Sequence, residues 1–162
     1  MKIKQVDKYQ VDVDTVFQHF IDPDFVKARA EAVGARNVHV TVEEKGGLTT
    51  IVVQREIQSD APGALKKFVP EWSPSVQTET WKGQPGGPYL GKATVEVKGV
   101  PVAMRSRMKL AAGEPGCCTM MIELEAKSGV PLLGNKLAEF AAIAAKETLE
   151  AEHAFNLEHI QG

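Results

Sequence analysis

From Asn135 to Ile160 the chain keeps a helical hydrophobic period with no proline or glycine to interrupt it. No other segment limits the fold as strongly. At 1.5 Å per residue the run makes a helix about 39 Å long. Advancing about 100° per residue gathers Leu133, Leu137, Phe140, Ala141, Ala144, Thr148, Ala151 and Phe155 on one stripe. Glu139, Lys146, Glu150, His153 and Leu157 fall on the opposite side. A helix with one apolar stripe and one charged face must lay that stripe against a second layer.

The rest of the chain supplies that layer as strands. Ile3 to Val11 alternates polar and apolar residues. Asp12 then caps a short helix with Val13, Val16, Phe17 and Phe20 on one face, and Asp22-Pro23 opens a second that Gly34 ends. From Val38 the period becomes two, and Gly46-Gly47 turns the chain into Leu48 to Ile57. Residues 59–75 carry three prolines, yet Leu65, Phe68, Val69 and Trp72 keep helical spacing, so the segment reads as a short amphipathic turn over an opening of the fold. Val76 to Lys82 and residues 89–98, 100–111 and 116–127 complete seven strands, each with one polar and one apolar face. No repeat or linker divides the chain, so residues 1–162 read as one α+β domain. A seven-stranded antiparallel sheet covers its apolar face with the long terminal helix.

This order of elements, with the two-helix break at Phe17-Gln-His-Phe-Ile-Asp-Pro23, resembles the START-like helix-grip (SRPBCC) superfamily, which includes birch-pollen-allergen-like proteins, polyketide cyclases and lipid-transfer domains. Thr78-Glu-Thr-Trp81, Val95-Glu-Val-Lys-Gly-Val-Pro101, Val130-Pro-Leu-Leu-Gly134 and Glu150-Ala-Glu-His-Ala-Phe155 are similar to strings of one bacterial family of unknown function within it. The resemblance covers essentially the whole chain. It implies a curved sheet gripping the helix around a cavity that takes an apolar ligand. It brings no established activity and no catalytic residues.

Composition narrows the partners. A net charge of −2 and 6% aromatic residues give neither the basic face nor the stacking platforms of a nucleic-acid binder. The two cysteines, Cys117 and Cys118, are adjacent and point to opposite faces of a strand, so they do not pair and belong to no spaced zinc set. No apolar run is long enough to span a membrane, and the first residues have no signal-peptide core. A reducing cytoplasm is the expected setting. Neither glycine-rich loop opens a helix or carries a nucleotide-binding ending, and no catalytic triad or metal set assembles, so no cofactor is called for. Oligomeric state is open.

The remaining question is whether the space between sheet and helix is filled. Ala141, Ala144, Thr148 and Ala151 form a small-residue stretch between Phe140 and Phe155. They either let the helix approach closely or leave room. The facing strands offer Val53, Val95, Met104, Met108, Met120 and Ile122, with Ser106 and one of Thr78 and Thr80 as polar points. Arg55 shares the strand parity of Ile51 and Val53, so it points inward, either to anchor an acidic ligand or to pair with Glu79 or Glu147. Phe68, Trp72, Tyr89 and Leu132 are candidates for the cavity mouth. Of the histidines, only His159 looks inward on this count; Glu150 and His153 lie outside. The leading expectation is carriage of a small apolar molecule such as a fatty acid or polyketide-like acid. The alternatives are a solid-cored protein-interaction module and an enzyme relying on Arg55, Glu79 or Ser106.

Overall fold

The computed structural model describes residues 1–162. The elements are β1 (Lys2–Tyr9), α1 (Val13–Phe20), α2 (Pro23–Ala32), β2 (Arg36–Lys45), β3 (Leu48–Gln58), a 3-10 turn (Gly63–Lys67), β4 (Trp72–Lys82), β5 (Tyr89–Val97), β6 (Ala103–Ala112), β7 (Cys118–Lys127) and α3 (Gly134–Asn156), closed by a π turn at Leu157–Gln161. The strands form one curved antiparallel sheet in the order β1-β7-β6-β5-β4-β3-β2. The class is α+β and the architecture is a helix grip.

Local chemistry explains the break after β1. The Asp12 carboxylate accepts hydrogen bonds from the backbone N–H groups of Asp14 and Thr15, each at 3.0 Å, and Asp22 accepts from Asp24 at 2.9 Å. These bonds satisfy donors that the first turns of α1 and α2 leave free. Pro23 costs α2 nothing because its missing N–H lies in that first turn. Between β2 and β3, Gly46 and Gly47 both adopt positive φ, as a two-residue hairpin turn requires.

β4 begins at Trp72, four residues before the start read from the sequence, despite Pro74. The Pro74 carbonyl accepts from Lys98 N–H at 2.9 Å. Its side of the ladder therefore faces the far end of β5, whose pairing with β4 begins only at Ser75. The missing proline donor removes no bond to β3. α3 stops at Asn156, short of Ile160, where the chain widens into the π turn.

The core is uneven, and this unevenness positions the site. At one end of the sheet, α1 presses Val16, Phe17 and Phe20 onto Tyr9, Trp81, Tyr89 and Leu110. Phe17 stacks on Tyr89 at 3.8 Å and meets Trp81 edge-on. Gly91 allows Trp81 to lie flat on β5, since a Cβ there would sit 2.8 Å from the indole. At the other end Ala61, Leu65, Val69 and Leu137 form a small cluster. Along one flank, Ala138 and Ala142 of α3 meet Ala126 of β7, and these small side chains bring helix and strand together. No such packing fills the space between α3 and the middle of the sheet.

Candidate ligand cavity

A cavity of about 360 Å³ lies between α3 and the inner face of β3–β7, with Asp7 and Tyr9 of β1 and Arg29 of α2 at one end. That is within the range of small-molecule sites. Val95, Val97, Met104, Ser106 and Met108 point toward the helix yet keep part of their surface accessible, as residues facing a void do. Across from them stand Phe140, Ala141, Ala144, Ala145, Thr148 and Leu149 of α3. The two roles open to small helix residues are divided between faces. Ala138 and Ala142 permit close approach to β7, while Ala141, Ala144 and Ala145 leave room. Thr148 spends its hydroxyl on the Ala144 carbonyl at 3.1 Å and so shows the cavity an apolar methyl.

β4 gives the cavity a polar wall. Because the strand starts at Trp72, its inward residues are Ser73, Ser75, Gln77, Glu79 and Trp81, and Thr78 and Thr80 face outward. Arg55 Nη2 donates to Gln77 Oε1 at 3.0 Å, and Gln77 Nε2 donates to Glu79 Oε2 at 2.8 Å. Trp81 Nε1 donates to the other Glu79 oxygen at 2.9 Å. The guanidinium thus rests on an amide rather than a carboxylate, and Glu147 is exposed. Arg55 Nε and the hydroxyl of Ser75 are buried with no partner, and the two residues sit directly opposite in the β3–β4 register. A buried donor left unpaired costs about 1–3 kcal/mol, so this corner favours an oxygen acceptor.

The opposite end is built from β1 and the last turns of α3. Asn156 Nδ2 donates to the Tyr9 hydroxyl at 3.1 Å, and His153 Nδ1 lies 3.2 Å from the same oxygen. His153 Nδ1 is also 3.8 Å from Asp7 Oδ2, while Gln5 Nε2 donates to Asp7 Oδ1 at 2.9 Å. Arg29 and Glu152 pair at 3.9 Å beside them. Burial raises the Asp7 carboxyl above its ordinary value, against the hydrogen bond from Gln5 and the His153 ring. Burial also pushes the Tyr9 hydroxyl well up, despite its bond from Asn156.

A protein-family model described as "Protein of unknown function (DUF2505)" matches residues 5–160. The chain belongs to this family. No curated protein matches it. Among solved structures it is similar to Ara h 8.0201, at 12% identity and a TM-score of 0.59 over 98% of this chain and 99% of that one. It is similar also to the protein TTHA0849 from Thermus thermophilus, at 10% identity and a TM-score of 0.58 over 94% and 91%. A START superfamily protein from Mycobacterium smegmatis matches at 7% identity and a TM-score of 0.57, over 94% of each chain. These likenesses establish the START-like helix-grip fold of this chain.

Against that geometry the residues singled out from sequence divide cleanly. Arg55, Val95, Met104, Ser106, Met108, Met120, Ile122, Phe140, Ala141, Ala144 and Thr148 all line the cavity. Val53 faces inward but is sealed in the core at 2% exposure, and Ala151 is exposed. The inward side of α3 drifts along its length, so Leu149, Glu152, His153 and Asn156 face in where a straight stripe puts Ala151 and Phe155. The sheet beneath twists, and the helix residues that face it shift accordingly. His153 is therefore an inner residue, and His159, exposed and bonded to the Phe155 carbonyl, is not.

None of the four expected mouth residues borders the cavity. Tyr89 is in the core, its hydroxyl donating to Asp14 at 2.7 Å; burial, helped by Asp14, pushes that group up to about 12. Trp72 lies on β4 with the Arg36 guanidinium 3.7 Å from its ring centre. Phe68 packs on the Leu65–Val69 cluster, and Leu132 projects fully into solvent at positive φ. Val33, Gly34, Ala35, Gln58 and Ser59, at the ends of α2 and β3, border the cavity instead. Turn residues of this kind carry no pattern that marks them in sequence. The internal void is also what a solid-cored module would lack.

Proposed function

We propose that the protein binds and carries a small, largely apolar molecule whose acidic or carbonyl end lies against Arg55 and Ser75. The observation that carries this reading is the pair of unpartnered donors, Arg55 Nε and Ser75 Oγ, at the edge of a mostly apolar cavity. Met104, Met108 and Met120 add flexible side chains that repack around different apolar shapes. Fatty acids and polyketide-like acids are the occupants that combine such a body with such an end. The setting we assign is the cytoplasm, where the free thiols of Cys117 and Cys118 stay reduced. No helix is long and apolar enough to cross a membrane.

Native mass spectrometry of protein purified from its own host tests the proposal. A bound organic acid, lost on delipidation and regained from a fatty-acid mixture, is the expected result. Repeated absence of any adduct, together with failure of palmitic acid to bind the delipidated protein, would overturn it.

A further inference from the structure

The cavity has a second polar end, with the opposite hydrogen-bonding sense. Asn156 is 4% exposed, and its Oδ1 has no partner. Beside it, Asp7 Oδ2 has only the His153 ring, at 3.8 Å, beyond hydrogen-bond reach. Both groups are acceptors with lone pairs to spare. Arg29 and Glu152 pair with each other nearby, so the end asks for a hydrogen-bond donor without demanding a charged one. At the other corner the unused groups, Arg55 Nε and Ser75 Oγ, are donors. Phe140 and Asn156, both on the cavity wall, are about 24 Å apart along α3.

We infer that the end formed by Asp7, Tyr9, His153 and Asn156 is a second subsite that receives a hydroxyl group. The preferred occupant is then an elongated apolar molecule with an acceptor oxygen at one end and a hydroxyl at the other, of the class of ω-hydroxy fatty acids. This rests on the binding function proposed above and adds the chemistry of the ligand's far end. The hydroxyl donates to Asn156 Oδ1 or Asp7 and replaces a bond that the folded protein leaves unmade.

The test compares palmitic acid with ω-hydroxypalmitic acid on the delipidated protein by titration calorimetry. The inference expects the hydroxy acid to bind roughly fivefold tighter or more, the worth of one net buried hydrogen bond. In Asn156→Leu the preference should vanish while palmitic acid still binds. Asn156→Asp, which keeps the acceptors, should retain it. Ser75→Ala should weaken both acids alike and leave their ratio unchanged. Equal affinities in the unaltered protein would overturn the second subsite and leave the binding function standing. A preference that survives in folded Asn156→Leu would overturn its placement. Should Asn156→Leu not fold, the comparison on the unaltered protein and on Asn156→Asp still decides. Binding of neither acid would overturn both readings.

Discussion

Ala144→Leu separates a cavity from a filled interior by the sign of its effect. Ala144 stands on the cavity wall of α3, and its carbonyl's bond from Thr148 does not depend on its side chain. Leucine adds three carbons, each contributing about 0.8 kcal/mol when it leaves water. Alanine and leucine differ little in helix propensity. Entering the cavity, the new side chain should stabilise the ligand-free protein by up to about 2 kcal/mol. For a chain of this length that is a rise of a few degrees in Tm. The same substitution in a close-packed core costs about 1–3 kcal/mol through strain. Urea denaturation of the delipidated protein gives the sign, and palmitic acid affinity should fall at least about tenfold because its space is taken. A loss of more than about 1 kcal/mol in stability, with affinity unchanged, would refute the reasoning.

Other perturbations address the remaining parts of the account. Arg55→Met removes a buried unpaired Nε and also the Nη2 bond to Gln77, opposing effects that should leave the stability of the empty protein close to unchanged in chemical denaturation, while fatty-acid binding weakens at least about tenfold. Gly91→Ala forces a methyl against the Trp81 ring and should lower Tm by several degrees in calorimetry, as overpacking of about 1–3 kcal/mol would. The raised Asp7 carboxyl means that the folded state holds its proton more tightly than the unfolded chain. Its contribution to stability therefore declines as pH rises through the window above the ordinary aspartate value. Asp7→Asn, which keeps an acceptor for Gln5, should raise stability at neutral pH and flatten that decline; lower stability at pH 7 would contradict the assignment.

Much of this was legible in sequence because periodicity reports which face of an element is buried. Met104, Ser106 and Met108 alternate with charged residues along β6, and Met120 and Ile122 share the parity of Leu124 opposite Glu123 and Glu125 on β7, so parity alone sends them inward. Arg55 followed from the same rule. Parity failed on β4, where Pro70 and Pro74 suggested a turn. A proline whose missing donor points past a neighbouring strand's end looks, in sequence, like any other. The result was to miss Ser75 and Gln77, which with Glu79, named only as a partner for Arg55, make the wall's main polar feature. On α3, a fixed step of about 100° per residue holds near Leu137 and Ala144 but drifts from the true inner face by Ala151. It thereby set His153 outside and passed over Asn156. Tyr89 illustrates a third limit: an aromatic beside a glycine-rich loop suggests a mouth, and only Phe17 stacking on it from α1 shows it to be core.

The central claim, that a ligand lies between the sheet and α3, is tested most directly by methyl NMR of the five methionines during titration with palmitic acid. Met104, Met108 and Met120 line the cavity, whereas Met1 and Met121 are exposed. The account predicts that the first three methyl resonances shift together, with ligand contacts, and that the other two stay in place. Shifts confined to Met1 and Met121, or none at a concentration where binding is saturated, would contradict it.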